Sequence, residues 1–274
     1  MVSMTTDFAS AVGCAGPALR LIAEAGFTHV HWCHQWNTDF LYDSAEIAEI
    51  ARWLDQFGLG LTDLHGSAGV EKSWTSLREY ERLAGVELVR NRVGMAAALG
   101  ADVVIMHPGA EPGDSEEARR HREQLLRSLD TLEPFCRSHG VRLALENGDF
   151  ELIGSLLAQY GPDFLGLCYD SGHGNLPGGR GKCLEAHRRR LISVHLHDND
   201  GLKDRHWIPF RGTVDWAWLA GVIARSSYDK WVSLEATMND SETEEAEAFL
   251  ARAYRAARRV ARGIDEVRRR EAET

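Results

Sequence analysis

Strand-like and helix-like segments alternate along the whole chain, and this alternation constrains its fold more than any other feature. The predicted strands are residues 8–13, 28–32, 59–65, 102–107, 141–146, 164–170, 191–197 and 230–235. Helical patterns lie between them, near residues 17–25, 44–57, 75–99, 114–139, 149–160, 179–189, 214–225 and 241–262. Strands that are joined by helices run parallel, and eight such units close a barrel.

We therefore predict an α/β fold, a single (β/α)8 TIM barrel with a closed parallel sheet, formed by residues 1–274. Residues from about 255 to 274 are rich in Arg and Glu and are expected to form a charged, solvated helical tail. A doubly wound open sheet is the alternative. Against it, the first predicted strand is followed by VGCAGPAL rather than by a glycine-rich phosphate loop.

Charge and composition narrow the class of partner. The formal net charge is −10, whereas a protein that grips phosphate backbones usually carries a basic surface, so no nucleic-acid partner is expected. No apolar run approaches the roughly 20 residues that span a bilayer, and no membrane association is expected. The five cysteines are scattered, as is typical of reduced thiols, which predicts a cytoplasmic protein.

Acidic and imidazole side chains stand where the predicted strands end. They occur in the segments LTDLHG, VVIMHPG, RLALEN, LCYDSGH, ISVHLHD and VSLEA. Since the carboxyl ends of barrel strands meet at one mouth, these side chains should converge there.

Four of these residues form the strongest candidate metal set, namely Glu146, Asp170, His195 and Glu235. Ionised carboxylates repel one another in a cleft unless a cation compensates them. Three carboxylates and one imidazole suit a divalent ion, with Mn²⁺ preferred and Co²⁺, Mg²⁺ or Zn²⁺ as alternatives. The competing interpretation is that each acid forms an ordinary salt bridge at a strand end.

The segments LALEN, LCYDSGH, HLHDNDGLKDRH and SLEA resemble the xylose isomerase-like superfamily of metal-dependent barrels. That resemblance implies a sugar or sugar phosphate isomerase or epimerase in which the four residues above hold one divalent metal. It also implies that Glu146 and Glu235 face each other across the substrate as an acid/base pair. Proton abstraction next to a carbonyl would then give epimerisation or isomerisation.

A second set of candidates has two interpretations under the same resemblance. It comprises His65, His107, His173, Asp204 and His206. In the sugar-active branch such residues bind substrate hydroxyls, which we prefer, whereas in the endonuclease IV branch they help to hold three zinc ions. His197 stands where that branch has an amide, and is expected to contact substrate.

Three more residues are candidate substrate contacts. Trp32 and Trp36 belong to the segment HVHWCHQWN, and flat aromatic faces at the barrel mouth suit the apolar side of a sugar ring. Arg211 stands in the segment PFRG, where many isomerase relatives have Pro-Gly-Glu-Gly, and could meet a carboxylate or phosphate. The alternatives are core packing for the tryptophans and a solvated loop for the arginine. In strand two, at most His31 should point into the barrel.

Three further functions stay open beside a metal-dependent isomerase or epimerase. The first is a lyase built on the same site, such as a keto-inositol dehydratase or an enzyme that catalyses β-elimination from a keto-glycoside. The second is an endonuclease IV-like phosphodiesterase with three zinc ions, and the third is a catalytically silent barrel. The expected partner is a small sugar or glycoside, and a homo-oligomer is left open.

Overall fold

Eight parallel strands curve into a nearly closed barrel, which confirms the predicted fold. The computed structural model describes residues 1–67, 69, 71–109, 115–177, 181–238 and 245–273, the side chains of 181–183 excepted. The strands are β1 (Val2–Thr5), β2 (His29–Trp32), β3 (Gly60–His65), β4 (Val103–Met106), β5 (Arg142–Leu145), β6 (Leu165–Asp170), β7 (Leu191–His195) and β8 (Val232–Leu234). Their order in the sheet is β7-β6-β5-β4-β3-β2-β1-β8, and a parallel bridge between Leu196 and Leu234 joins the two ends.

Helices cover the outside of the barrel. They are α1 (Gly16–Glu24), α2 (Ser44–Phe57), α3 (Glu79–Ala98), α4 (Glu116–His139), α5 (Phe150–Gln159), α6 (Ser171–Asn175), α7 (Gly181–His187), α8 (Trp216–Ala224) and α9 (Ala246–Ala272). Local chemistry sets their ends: Asp43 caps α2 through a capping box with Glu46, and the left-handed Gly58 ends it. None of the helices in the described part of the chain is long and apolar enough to cross a membrane.

The first strand lies earlier than the sequence predicts. Residues 8–13 are not a strand; β1 is Val2–Thr5, and all four of its residues are buried. Val2 and Met4 belong to the main core, whereas Ser3 makes a 3.4 Å contact with Ser233 across the strand pair. Gly13 has a φ of +92°, which suits a loop but not a strand. Residues 8–13 therefore belong to the connection between β1 and α1 at the barrel mouth.

The charged segment from Arg255 onward is the second half of α9 rather than a separate tail. Val260 and Ile264 are buried, and α9 packs against α8, β1 and β8. Near its end, Arg268 donates a 2.8 Å hydrogen bond to the carbonyl of Tyr228. The charges occupy the outer face of an amphipathic helix whose inner face helps to cover the sheet.

The main apolar core lies between the sheet and the helices, and a second, small apolar cluster lies apart from it. The small cluster contains Val103, Ile105, Ala144, Cys168 and Ile192. By the alternation of side chains along strands, Ile105 and Cys168 point into the barrel. On the other strands the interior positions are polar and fully buried, as at His31 and Asp63. Half of the barrel interior is therefore polar, on the side that leads to the mouth.

Candidate active site and metal centre

The carboxyl ends of the strands surround a cavity of about 450 Å³. Its lining includes most of the candidates expected from the sequence: Trp36, His65, His107, Glu146, His173, Asp204, His206 and Glu235. Asp7, Cys33, Asn147 and Thr237 complete it. Each candidate lies at the carboxyl end of a strand or in the loop that follows it, so residues far apart in sequence meet here.

Three of the predicted metal ligands form what we call the inner cluster, Glu146, His195 and Glu235. Nδ1 of His195 contacts Oε1 of Glu146 and lies 3.3 Å from Oε1 of Glu235. Burial alone would lower the pKa of His195, but the neighbouring Cys168, Glu146 and Glu235 raise it well above its ordinary value. The two carboxylates therefore create a position that favours a positive charge.

The inner cluster fits a bound cation. His195 is completely buried, and neither of its ring nitrogens takes part in a well-formed hydrogen bond. A buried imidazole usually has such partners, unless its nitrogen faces a metal. Two sets of three ligand atoms within 4.8 Å of one another lie here: Glu146, Cys168 and His195, and His31, Cys33 and Glu235. Carboxylate oxygens and imidazole nitrogens are ligands that divalent ions accept.

A pair of histidines approaches Glu146 from the other side. Nε2 of His107 lies 3.1 Å and Nε2 of His65 lies 3.6 Å from Oε2 of Glu146. The Nδ1–H group of His65 donates a 2.9 Å hydrogen bond to the carbonyl of Gly66, which leaves Nε2 facing the carboxylate of Glu146. Burial lowers the pKa of His65, so its imidazole is neutral near pH 7. Trp36 closes this side, its ring centroid 4.8 Å from that of His65.

The remaining acid and histidine candidates form an outer cluster, consisting of Asp170, His173, His197, Asp204 and His206. Nε2 of His197 lies 3.0 Å from Oδ2 of Asp170, and Nε2 of His206 lies 2.9 Å from Oδ2 of Asp204. His173 connects the two acids, at 3.4 Å from Asp170 and 3.7 Å from Asp204. Asp170, expected among the metal ligands, makes its ion-pair contacts here and also accepts a hydrogen bond from the backbone N–H of His173.

Two histidines of the outer cluster carry a positive charge that the neighbouring carboxylates stabilise. Burial by itself would lower the pKa of His173, but Asp170 and Asp204 raise it to about 9. Burial likewise opposes a raised pKa at His206, and Asp204 and Glu235 bring it to about 10. Both imidazoles are therefore protonated at neutral pH. His206 uses its two N–H groups on the carbonyl of Glu235 at 2.7 Å and on Asp204 at 2.9 Å, which leaves His173 as the donor toward the cavity.

The structure does not bring Trp32 or Arg211 to the cavity. Trp32 is 1% exposed, and its indole N–H donates to the hydroxyl of Tyr42 at 3.1 Å, on the helix side of β2. Arg211 is exposed, with its guanidinium 5.7 Å from the ring centroid of Trp207. Trp74 lies beneath the site, where its indole N–H donates to the carbonyl of His107 at 3.1 Å.

Sequence reasoning missed several lining residues. Asp7 follows β1 by two positions, one position further than Glu146 and Glu235 follow β5 and β8. It went unnoticed because the first strand was expected after it rather than before it. Asn147 directly follows Glu146 and has a φ of +59°, a conformation that Asn adopts more readily than most residues. Asp63 carried a usable signal, since it shares a strand face with His65.

Known proteins resemble this chain in sequence and in fold. An uncharacterised protein of Sinorhizobium fredii, y4fM, is 34% identical over 251 residues, which cover 81% of each chain. A solved L-ribulose 3-epimerase has a TM-score of 0.79 at 16% identity, covering 99% of this chain and 96% of its own. The 3-keto-D-glucoside 4-epimerase of E. coli has a TM-score of 0.70 at 18% identity, covering 88% and 93%. At such identities the likeness to the solved structures shows the fold. The family model described as xylose isomerase-like TIM barrel matches residues 19–256, and the chain belongs to that family.

Proposed function

We propose that the protein is a divalent-metal-dependent sugar isomerase or epimerase that abstracts a proton next to a carbonyl. The observation that carries the proposal is the inner cluster, in which two buried carboxylates meet one imidazole at the wall of a barrel-mouth cavity. Two carboxylates with separate surroundings provide the two acid/base groups that such a reaction needs. The epimerase names among the structural neighbours agree with this chemistry.

Glu146, His195 and Glu235 would hold the metal, with Asp170 as the further ligand predicted from the family pattern. Mn²⁺ is the preferred ion, and Co²⁺, Mg²⁺ or Zn²⁺ are alternatives. When bound, such an ion polarises a substrate carbonyl and stabilises negative charge on its oxygen.

The two glutamates would exchange the proton. One carboxylate removes the hydrogen from the carbon next to the carbonyl, and the electron pair of the broken C–H bond moves into an enolate. The other carboxylic acid returns a proton, to the opposite face of the same carbon for epimerisation or to the neighbouring carbon for isomerisation. Glu235, with an 11% exposed side chain, faces the cavity more openly than Glu146, at 1%. Glu146 is instead surrounded by His65, His107 and His195, of which His107 and His195 lie closest to its carboxylate oxygens.

The substrate that fits is a neutral, unphosphorylated sugar or glycoside. Among the described residues that line the cavity, none is Lys or Arg, whereas four are carboxylates: Asp7, Glu146, Asp204 and Glu235. Two protonated histidines and a divalent ion would offset these four acids, so the lining has no surplus of positive charge to hold a phosphate group. Protonated His173 supplies a donor for a hydroxyl group, and Trp36 supplies a flat apolar face. We also expect a cytoplasmic enzyme, in line with the free thiols at the four cysteines whose side chains are described.

Proton exchange with solvent tests the proposal. Purified protein loaded with Mn²⁺ is incubated in D₂O with ketopentoses, ketohexoses and 3-keto-glucosides, and each sugar is followed by NMR. We expect deuterium at the carbon next to the carbonyl, together with a new epimer or isomer. Glu146→Gln and Glu235→Gln should each lower the rate by roughly 10²–10⁴-fold. Exchange followed by an unsaturated product would indicate the lyase, and activity that survives both substitutions would disprove the acid/base assignment.

A three-zinc phosphodiesterase is the second candidate function. It is favoured by one observation: separate sets of close ligand atoms, His65 with His107 and Glu146, and Asp170 with His173 and His197, lie on either side of the inner cluster. The acidic lining opposes a nucleic-acid backbone. Metal analysis distinguishes the two functions, because three Zn²⁺ per chain with cleavage of abasic DNA would replace the sugar assignment.

A further inference from the structure

A histidine–aspartate pair lies inside the barrel, directly below the inner cluster. Nδ1 of His31 lies 2.7 Å from Oδ1 of Asp63, and both side chains are completely buried. The other carboxylate oxygen of Asp63 accepts a hydrogen bond from the hydroxyl of Ser193. These three residues come from β2, β3 and β7, so the pair is held by three separate strands. The arrangement fixes the imidazole ring and puts its proton on Nδ1.

The other ring nitrogen of His31 is turned toward the inner cluster. Nε2 is buried and has no hydrogen-bond partner among the described residues. It lies 3.8 Å from Oε1 of Glu235, and the ring centroid is 4.2 Å from that of His195. With Nδ1 engaged by Asp63, Nε2 is the ring nitrogen left to bind a cation. A cation beside Nε2 and the carboxylate oxygen of Glu235 would be held by both atoms.

We propose that His31 is an additional ligand of the same cation, oriented by Asp63, and the proposal rests on the metal centre of the proposed function. Two atoms that are each about 2.1 Å from one ion lie at most about 4.2 Å apart. The 3.8 Å between Nε2 of His31 and Oε1 of Glu235 satisfies this limit and exceeds hydrogen-bond length. Histidines that bind a metal through one ring nitrogen commonly donate a hydrogen bond from the other ring nitrogen to a carboxylate, as His31 does to Asp63.

Cys33 is the competing ligand at this position. Its Sγ, a nitrogen of His31 and an oxygen of Glu235 lie within 4.8 Å of one another. Mn²⁺ favours harder ligands than a thiolate sulfur, and Asp63 already orients the imidazole of His31, so His31 is the better donor for this ion. Cys33→Ser should therefore leave Mn²⁺ binding unchanged within about twofold.

Pulsed electron paramagnetic resonance of the full-length protein loaded with Mn²⁺ tests the proposal without using activity. The nitrogen couplings count the histidines bound to the ion. We expect one fewer bound nitrogen in His31→Gln than in the wild type, and an Mn²⁺ affinity about 10–100-fold weaker. His29→Gln is the matched control, because His29 lies on the same strand but contacts Thr28 and Trp231 instead. That control should keep both the nitrogen count and the affinity.

A second variant serves as the control for an effect of His31→Gln on folding. His31→Gln leaves the buried Asp63 without its imidazole partner, whereas the double substitution His31→Gln/Asp63→Asn pairs one neutral amide with another. Both should lose the same nitrogen coupling. An unchanged nitrogen count in whichever of these variants folds, or a wild-type protein that binds no Mn²⁺, overturns the proposal. Metal binding with the expected count but no sugar exchange would instead sustain the ligand and refute only the proposed reaction.

Discussion

Two tryptophans four residues apart should respond to substitution in opposite ways. Trp36 lines the cavity against the rings of His65 and His107, whereas Trp32 is buried on the helix side of β2. We expect Trp36→Leu to weaken substrate binding and spare stability. We expect Trp32→Phe to lower stability and spare binding.

The size of each effect follows from what each side chain touches. A sugar ring that covers about a third of an indole removes roughly 60 Å² from water, which at about 25 cal/mol per Å² is about 1.5 kcal/mol. KM should therefore rise about tenfold in Trp36→Leu. Trp32→Phe loses the hydrogen bond to Tyr42, about 1 kcal/mol, and leaves a cavity of about 40 Å³, a further 1 kcal/mol or so. A loss of about 2 kcal/mol lowers Tm by roughly 4–8 °C in a chain of this size.

Steady-state kinetics and thermal unfolding of the two variants, side by side, measure both effects. The sugar used is whichever one shows proton exchange with the wild type. The reasoning is refuted if Trp32→Phe raises KM about tenfold at unchanged Tm, or if Trp36→Leu leaves KM within twofold of the wild type.

Three further predictions concern the outer cluster and α9. In Gly172→Ala the new methyl carbon would overlap Cε1 of His197, so the imidazole must move. We expect kcat in steady-state assays to fall at least about tenfold. An unchanged kcat would show that the position of His197 does not matter. The pKa of His206 is about 10 in the folded protein, against an ordinary 6.5. Protonated His206 therefore stabilises the fold fully below pH 6.5, and this stabilisation is lost as the pH rises toward 10. The Tm measured in EDTA should fall over this pH range, and should fall less steeply in His206→Gln. Deleting residues 255–274 removes the buried Val260 and Ile264 and should prevent soluble folding. Deleting only residues 271–274 should leave Tm within a few degrees of the full-length value. Equal Tm values for both truncations would contradict the packing of α9.

The sequence predicts the barrel well because most strands end in a chemically distinct residue. A run of apolar residues followed by Glu146 or His107 identifies both the strand and its carboxyl end. β1 lacks an apolar run, since Ser3 and Thr5 fill the polar side of the barrel interior. Apolar Val2 and Met4 do alternate with polar Ser3 and Thr5, but over only four residues, and the longer segment 8–13 is predicted as the strand instead, which places Asp7 before it.

Side-chain direction divides the candidate residues that were recognised from those that were misplaced. Once His31 points into the barrel, Trp32 must point out of it, so strand alternation already separates Trp32 from the site. For Asp170 the sequence predicts a strand end but not the short helix α6, whose first turn it caps. A capping carboxylate is turned toward backbone N–H groups, and only the fold reveals which of its oxygens remains for other partners.

The junction between β7 and β8 would give the proposed metal ion a second role, in holding the barrel together. Here the described backbone bonds run from the N–H of Leu196 to Ser233 and from the N–H of Glu235 to Leu196. His195 ends β7 and Glu235 follows β8, so an ion bound by both would link the two strands at the place where the barrel closes. Loading the metal should then slow amide hydrogen exchange at Leu196 and Glu235 far more than at the β4–β5 pair, which is joined along its whole length. The ion would thus tighten the scaffold at the place where its own ligands must be held still.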